Sequence, residues 1–318
     1  MRILFVTATR IGDCVLSTGL LDALLDQNPG VRVTVACGAP AASLFADMPG
    51  LDRVIVLRKR RYLGHWIALW REVVGTRWDI AVDLRGSLTT SLIRRGVALV
   101  DRRRFPDLHR VAELGRLIDI APPPTPRIWL SAAREARAAA LLPGDTPVLA
   151  LAPASNWPPK SWPLDRFAAL ARSLTAPGAP LAGARIIVAA APTERAQVAP
   201  LLAEIPRDRL IDMTGGGDLL DVAACFARAR LFVGNDSGLM HLAAAVGAPT
   251  LGLFGPSRET RYGPWGPRSR AVRTKESFEE LLDRARGGAR GPGTLMESLS
   301  GEVVEAAARD LLASDAPQ

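Results

Sequence analysis

Residues 233–256 read VGNDSGLMHLAAAVGAPTLGLFGP, and this stretch decides the fold. An apolar run that ends at Gly234 predicts a buried strand, and residues 250–254 predict a second one. Between them, residues that favour helix N-caps are followed by helical spacing from Gly238 to Val246, which predicts a short helix. A strand, a helix and a strand in this order are typical of the βαβ unit of a parallel sheet.

The turn before this helix has the properties of an anion-binding site. Open parallel sheets bind ligands at the carboxyl ends of their strands, where this turn lies. A helix N-terminus presents N–H groups and positive potential, which suit a diphosphate, and the small residues Ser237 and Gly238 let a ligand approach the backbone. A capped core helix with a hydrogen-bonded His241 explains the same pattern, so both interpretations stay open at this point.

Composition limits the class of protein. The chain has 318 residues, enough for two domains, and its 48% hydrophobic and 23% charged residues indicate a globular protein. No apolar run approaches the roughly 20 residues that span a bilayer, and residues 1–8 predict a first strand rather than a signal peptide. Cys14, Cys37 and Cys225 are isolated and lack metal-ligand spacing. We therefore expect reduced structural thiols, no metal site and a cytoplasmic location.

The charge balance is strongly basic. The formal net charge is +8, from 40 Lys and Arg against 32 Asp and Glu. This favours a polyanionic partner, which is nucleic acid, an acidic membrane surface or a phosphorylated substrate. On charge alone, a non-enzymatic polyanion-binding protein is one alternative, and it would bind nucleic acid with a steep salt dependence.

Apolar runs alternate with helical patterns along the whole chain, as in doubly wound α/β folds. The predicted strands are residues 2–8, 31–37, 53–57, 79–84, 97–100, 146–152, 185–189, 210–213, 231–234 and 250–254. The clearest predicted helices are residues 13–27, 64–74, 109–120, 131–142, 219–228, 238–246 and 302–312. The proline-rich residues 121–127 cannot continue a helix, so they mark a break between two domains. We expect an N-terminal domain over residues 1–125, a linker over 126–145 and a C-terminal domain over 146–318. The last helix either stays with the second domain or returns to the first.

Asp13 is a candidate catalytic residue. It follows the first predicted strand and opens the first helix, so it is either a simple N-cap or a carboxylate that faces a ligand. In the second case it could take a proton from a hydroxyl group. The loop before it lacks the G-x-G-x-x-G pattern of dinucleotide binding.

Two runs of basic residues follow predicted strands of the first half. The runs are residues 58–61 and 102–104. Such runs are most often solvated surface. Because Tyr62, His65 and Trp66 adjoin the first run, a face that meets phosphates or a membrane surface is the alternative.

The loop at residues 154–167 is rich in turn residues and carries Ser155 and Lys160. It follows a predicted strand, so both side chains lie at the carboxyl edge of the second sheet. A lysine there can neutralise a phosphate, and a serine can donate a hydrogen bond to it. Two similar α/β halves also predict a ligand site in a cleft between them.

Several motifs in order along nearly the whole chain resemble the heptosyltransferase-type glycosyltransferases of family 9. They are RIGDCVLSTGLLDALL from Arg10, WDIAVDLRGSLTTSLI from Trp78, NWPPKSWPLDRF from Asn156, APTERAQV from Ala191 and NDSGLMHLAAAVGAPTLGLFGPS from Asn235. The resemblance implies an α/β fold of the GT-B type, with two Rossmann-like domains that face a central cleft. It also implies inverting, metal-independent transfer of heptose from ADP-heptose to the inner core of lipopolysaccharide.

The resemblance assigns roles to residues of this chain. Asp13 matches the proposed base, and Lys160 the residue that stabilises the leaving diphosphate. The donor-binding residues that it implies are Ser155, Glu194, Met213, Asp236, Ser237, Gly238 and His241. Glu194 matches an acidic nucleoside contact, and Met213 lies where the adenine packs. The acceptor-binding residues that it implies are Arg10, Arg60 and Arg61.

Further expectations follow from this resemblance. No cofactor is expected, because ADP-heptose enters as the donor substrate. The expected partners are that nucleotide-sugar, a phosphorylated glycolipid acceptor and the anionic surface of the inner membrane, with peripheral contact on its cytoplasmic face. A monomer that does not bind nucleic acid is expected. Two enzymatic alternatives remain: a related glycosyltransferase with another nucleotide-sugar or acceptor, and a nucleotide-sugar epimerase of the same architecture.

Overall fold

The structure is a computed structural model that describes residues 1–59, 61–102, 105–215, 217–286 and 293–314. The chain divides into two compact units, Met1–Ser131 and Ala132–Gln318. Each unit contains one sheet in which all strands are parallel. Within the described ranges, no helix is both long and apolar enough to cross a membrane.

The first unit has a five-stranded sheet with the order β3-β2-β1-β4-β5. Its strands are β1 (Arg2–Val6), β2 (Arg32–Gly38), β3 (Leu51–Leu57), β4 (Trp78–Asp83) and β5 (Arg95–Val100). Its helices are α1 (Ile11–Gln27), α2 (Gly64–Val73) and α3 (Arg110–Gly115). Central β1 is buried from Ile3 to Val6, as expected for a strand that is covered on both faces.

The proline-rich segment packs against α1 rather than forming a free spacer. A Cβ atom on Gly19 would lie 2.4 Å from the carbonyl oxygen of Pro124, so only glycine allows this close approach. The Arg127 backbone N–H donates to Thr18 Oγ1 at 2.9 Å. Residues 124–127 therefore belong to the first unit.

The second unit has a six-stranded sheet with the order β11-β10-β9-β6-β7-β8. Its strands are β6 (Val148–Ala152), β7 (Arg185–Ala190), β8 (Leu210–Thr214), β9 (Leu231–Asn235), β10 (Thr250–Phe254) and β11 (Ser269–Arg273). Its helices are α4 (Ala132–Leu141), α5 (Leu164–Thr175), α6 (Arg195–Glu204), α7 (Leu219–Phe226), α8 (Gly238–Ala245), α9 (Glu259–Tyr262), α10 (Phe278–Arg286) and α11 (Gly301–Ser314). Apart from the edge strand β8, which is only partly buried, the apolar runs predicted as strands are buried here because helices cover both faces of the sheet.

The first and last helices of the second unit are fixed by polar contacts within it. Arg134 of α4 donates to Asp218 at 2.7 Å and to Asp221 of α7 at 3.0 Å. Ser173 of α5 donates to Glu305 of α11 at 2.6 Å. The segment predicted as a connecting helix thus packs on α7, and α11 packs on α5.

Some element boundaries differ from the sequence predictions. Helix α1 begins at Ile11, so the prediction that Asp13 opens it is wrong, and Asp13 is its third residue. Helix α3 ends at Gly115 instead of at residue 120. Strand β11 and helix α10 were not predicted, because residues 269–273 contain no continuous apolar run and residues 278–286 are mostly charged.

Candidate functional site

The donor-side candidates lie at the carboxyl edge of the second sheet. Ser155 and Lys160 follow β6, and Asp236, Ser237 and Gly238 follow β9. Strands β6 and β9 are neighbours, so their loops emerge side by side. This is the edge at which open α/β sheets bind ligands.

An ion pair joins these two loops. Lys160 Nζ lies 2.5 Å from Asp236 Oδ2, and the two side chains are 24% and 10% exposed. A 3-10 turn over Pro158–Lys160 presents the lysine, with the Lys160 backbone N–H donating to the Trp157 carbonyl at 2.9 Å. The pair places a partly buried cation beside the N-terminus of α8.

Asn235 holds the same two loops together through its side-chain amide. The residue is fully buried. Its Nδ2 donates to the Pro153 carbonyl at 2.7 Å, and its Oδ1 accepts from the Trp162 backbone N–H at 3.0 Å. The sequence indicated Asn235 only as one of three N-cap types. The sequence signal for these two hydrogen bonds was a polar side chain at the end of an otherwise apolar strand.

Trp162 anchors the far end of the lysine loop. Its indole N–H donates to the Leu299 carbonyl at 2.8 Å, and its ring packs edge-on against Phe167 at 4.9 Å between centroids. Trp162 is therefore a buried packing residue. The loop that carries Lys160 is therefore fixed at both ends.

Ser155 is buried beneath this loop. Its hydroxyl donates to the Trp157 carbonyl at 2.7 Å and lies 3.0 Å from Ser161 Oγ, which also accepts from Gln197 Nε2 at 3.1 Å. The hydroxyl group thus has partners within the loop. It shapes the turn that presents Lys160.

Ser237 occupies the N-cap position of α8, but its side chain makes no capping bond. Its Oγ is buried and has no hydrogen-bond partner among the described residues. The interpretation of this helix as capped by a side chain is therefore wrong. Ser237 leaves the N–H groups of the first turn to other acceptors, and His241 lies buried one turn further along α8.

Glu194 and Met213 lie at the same sheet edge on the side of β7 and β8. Glu194 Oε2 accepts from the Ala191 backbone N–H at 3.0 Å, so this carboxylate caps its own turn. Met213 is half-buried in β8, in register with Ala189 of β7. Because neighbouring strands are about 4.8 Å apart, β8 lies about 10 Å from β6. Met213 therefore lies two strands from β6, the strand before the Lys160 loop, whereas Glu194 follows β7, the direct neighbour of β6.

The other catalytic and acceptor-side candidates belong to the first unit. Asp13 is half-buried in the first turn of α1, and Arg10 is exposed at its N-cap position. Arg61 and Arg102 are exposed. Three predicted members of the basic runs, Arg60, Arg103 and Arg104, lie outside the described residues.

Asp83 is a buried carboxylate that the sequence reasoning missed. It ends β4, in register with Val6 of β1. Burial raises its pKa, although hydrogen bonds from the Ser87 hydroxyl at 2.7 Å and the Arg85 backbone N–H at 2.9 Å oppose this. Asp83 thereby fixes a loop beside an open cavity of about 450 Å³ whose lining includes Arg85, Ser87 and Arg102. Its only sequence signal was an acidic residue at the end of an apolar strand.

No group of three or more His, Cys, Asp and Glu residues that could hold a metal ion occurs in the part of the chain that the structure describes. The three cysteines are buried and unpaired. Burial raises the pKa of Cys37 to about 12 and that of Cys225 to about 11. All three are structural thiols, as predicted.

Comparison with known proteins identifies the family. The model of glycosyltransferase family 9 (heptosyltransferase) matches residues 104–285, more than half of the chain. The chain belongs to this family. It is a glycosyltransferase, which confirms the resemblance seen in the sequence and leaves a non-enzymatic polyanion-binding protein without support.

Relatives match this glycosyltransferase over nearly its full length. Lipooligosaccharide heptosyltransferase 2 of Haemophilus influenzae is 26% identical, and the match covers 92% of this chain and 93% of the relative. A family 9 glycosyltransferase from Veillonella parvula superposes with a TM-score of 0.80 at 22% identity, covering 99% of this chain and 98% of the other. The ADP-heptose lps heptosyltransferase II of Escherichia coli gives a TM-score of 0.76 at 21% identity, with 99% of each chain covered. The predicted fold class, α/β of the GT-B type with two Rossmann-like domains, is confirmed.

Proposed function

We propose that this glycosyltransferase transfers heptose from ADP-heptose to an acceptor in the inner core of lipopolysaccharide. The observation that carries the proposal is the Lys160–Asp236 pair at the N-terminus of α8. A cation and a helix N-terminus at one sheet edge suit a nucleoside diphosphate. Relatives named as lipooligosaccharide and lipopolysaccharide heptosyltransferases support the sugar and the acceptor class.

The donor-binding roles follow the arrangement of the loops. Lys160 and the backbone N–H groups at Ser237 and Gly238 bind the diphosphate, and Asp236 orients the lysine. Glu194 contacts the ribose side of the nucleoside, and Met213 packs on the adenine. Two further residues support the binding loops from behind: Ser155 through its bonds within the lysine loop, and His241 from inside α8.

The reaction is a single displacement with inversion at the anomeric carbon. Asp13 takes the proton from the acceptor hydroxyl group. The hydroxyl oxygen forms a bond to the anomeric carbon as the bond from that carbon to the diphosphate oxygen breaks. ADP leaves with the electron pair of that bond. Lys160 and the N-terminus of α8 stabilise the negative charge that develops on the leaving group, so no bound metal ion is required for this step.

The acceptor is a phosphorylated glycolipid. Arg10, Arg60 and Arg61 bind its anionic groups, and the cavity with Arg85 and Arg102 offers two further guanidinium groups of the first unit. The enzyme acts as a monomer at the cytoplasmic face of the inner membrane, in peripheral contact with anionic lipid, and binds no nucleic acid.

The proposal is tested with the purified enzyme and a panel of ligands. ADP should raise the melting temperature more than UDP, GDP or CDP does, because at equal concentration the ligand that binds the folded state most tightly stabilises it most. With ADP-heptose and inner-core acceptor, proton NMR should show a product whose anomeric configuration is opposite to that of the donor. Preference for another nucleoside diphosphate would overturn the donor assignment, and retention of configuration would overturn the single displacement.

A further inference from the structure

Six large apolar side chains are exposed on one part of the first unit. Their exposed fractions are 94% for Tyr62, 65% for Leu63, 52% for Ile67, 36% for Trp70, 75% for Leu88 and 62% for Leu92. They account for half of the twelve large hydrophobic residues that are exposed in the described chain. Single exposed apolar residues are ordinary, but a contiguous group marks an interaction surface.

Helical spacing and one hydrogen bond relate the segments that carry these side chains. Ile67 and Trp70 are three residues apart, so they lie along one face of α2, and Leu63 is the N-cap residue directly before this helix. The opposite face, with Leu69 and Val73, is buried in the core. Trp70 Nε1 donates to the Leu92 carbonyl at 2.9 Å, which joins the 3-10 turn Thr89–Leu92 to this face. We call these six residues the apolar ridge.

The backbone at the start of the ridge is in a conformation that large side chains rarely adopt. Tyr62 has φ 51° and Leu63 has φ 59°, both in the left-handed region. This region favours glycine and asparagine, and bulky residues in it store strain. Strain of this kind clusters at functional sites. Here it holds a tyrosine and a leucine out in the solvent.

Basic residues adjoin members of the apolar ridge in the sequence. Exposed ones include Arg58, Lys59, Arg61, Arg71, Arg94 and Arg95. None of these six forms an ion pair with another residue that the structure describes. Residues 58–73 contain five Lys and Arg and a single acidic residue, Glu72. The positive charge around the ridge is therefore uncompensated.

We propose that the apolar ridge inserts into the outer part of an anionic lipid bilayer while the surrounding arginines and lysine contact lipid phosphates. A partly apolar helix with basic neighbours and interfacial Trp and Tyr is the arrangement that binds membrane surfaces. A second copy of the chain fits less well. A two-fold contact through this surface would place like charges against one another.

This inference rests on the proposed function only in that a glycolipid acceptor places the enzyme at a membrane. It adds a specific expectation about salt. At about 1 M salt the Debye length is about 3 Å, so attraction between exposed charges and lipid headgroups is largely screened. Insertion of apolar side chains does not depend on that attraction. Binding through the ridge should therefore weaken with salt but persist.

The test is co-sedimentation with vesicles of phosphatidylethanolamine and phosphatidylglycerol, in low salt and in about 1 M NaCl. The ridge variant is Leu63→Asn, Ile67→Gln and Leu92→Ser, with asparagine chosen because it tolerates a positive φ. The matched control is Leu141→Gln with Val303→Gln, two exposed apolar residues of the second unit. The single change Ile67→Gln serves if the triple variant does not fold.

The wild type and the control should bind anionic vesicles in both salts. In high salt, the vesicle partition coefficient of the ridge variant should be about 10-fold or more lower than that of the wild type. Brominated lipid should quench the fluorescence of the wild type more than that of Trp70→Phe. Equal partition of wild type and ridge variant would overturn the inference. A second result would also overturn it. In that case the wild type does not bind vesicles, and sedimentation velocity shows a concentration-dependent dimer that is lost in the ridge variant.

Transfer to a deacylated, water-soluble acceptor separates this inference from the proposed function. The ridge variant should transfer heptose to that acceptor at the wild-type rate. If heptose transfer occurs but the ridge variant binds vesicles as well as the wild type does, only the membrane-binding role of the ridge is refuted. Ridge-dependent vesicle binding without heptose transfer would refute the proposed function alone.

Discussion

Lys160 Nζ and Asp236 Oδ2 are 2.5 Å apart, although the two residues are separated by 76 positions in the chain. The pair connects the loop after β6 to the turn before α8. It orients the lysine beside the helix N-terminus. A cation that is already held in place loses little side-chain freedom when a diphosphate binds.

The pairing predicts an energetic coupling between these residues. In a double-mutant cycle with Lys160→Ala and Asp236→Ala, urea unfolding should give a coupling energy of about 0.5–3 kcal/mol. The reason is that both groups are largely buried, and each single change leaves one charge without its partner. A matched cycle on the exposed pair Arg172 and Glu204 should give less than about 1 kcal/mol. Equal couplings for the two pairs would contradict the structural role of the buried one.

Lys160→Ala should weaken the binding of ADP by about 10-fold or more and change the binding of adenosine by less than about 2-fold. The lysine contributes charge, and only ADP carries phosphates. Isothermal titration calorimetry with both ligands measures the difference. Lys275→Ala, which removes an exposed lysine of the second unit, is the control and should leave both affinities unchanged. Equal losses for ADP and adenosine would remove Lys160 from phosphate binding.

Asp13→Asn should lower the transfer rate by about 100-fold or more and leave ADP binding intact, because the amide cannot accept the acceptor's proton. The assay is steady-state transfer from ADP-heptose to inner-core acceptor. Asp26→Asn, an exposed residue of the same helix, should behave as the wild type. If Asp13→Asn keeps a rate within a few-fold of wild type, another group is the base.

Asn235→Ala should lower the free energy of unfolding by about 2–5 kcal/mol, because the Pro153 carbonyl and the Trp162 N–H lose their partner. In thermal unfolding this corresponds to a fall in melting temperature of about 5–15 °C. ADP binding should weaken as well, since the lysine loop is loosened. Asn28→Ala, which removes one half-buried bond to the Leu24 carbonyl, should cost only about 1 kcal/mol. An unchanged melting temperature in Asn235→Ala would show that the two loops do not depend on this amide.

Asp83 predicts a pH dependence of stability. Burial raises its pKa in the folded protein, so the folded state binds more protons than the unfolded state above the ordinary value of 3.8. The contribution of Asp83 to the free energy of unfolding is therefore most favourable at low pH, and it falls as the pH rises from about 4 towards the higher pKa of the folded state. The free energy of unfolding of Asp83→Asn, relative to wild type, should increase over that range. A flat difference for Asp83→Asn across this range would contradict the raised pKa.

Much of the fold follows from local patterns. Ten of the eleven strands in the described part of the chain coincide with apolar runs that the sequence shows, because strands buried in a parallel sheet need side chains that are apolar on both faces. The exception is β11, a partly exposed edge strand that contains two arginines. It is a strand because it pairs with β10 in register, and no local pattern encodes that pairing.

Helix ends were predicted less well where distant residues decide them. Helix α3 ends at Gly115, where a Cβ atom would lie 3.1 Å from Pro123 Cβ. The proline segment thus packs directly against the last residue of this helix. In the same way, Gly19 is required by the carbonyl of Pro124, a contact across 105 positions of the chain.

The sequence by itself determined the alternation of strands and helices, the family, and the edge of the second sheet at which the donor candidates lie. It did so because periodicity and parallel order fix which strand ends share an edge. Only the tertiary structure decided that Lys160 pairs with Asp236, that Asn235 clamps their loops and that Ser237 does not cap α8. These depend on side-chain directions and on distances between residues far apart in the chain, which a pattern read along one strand or helix does not contain.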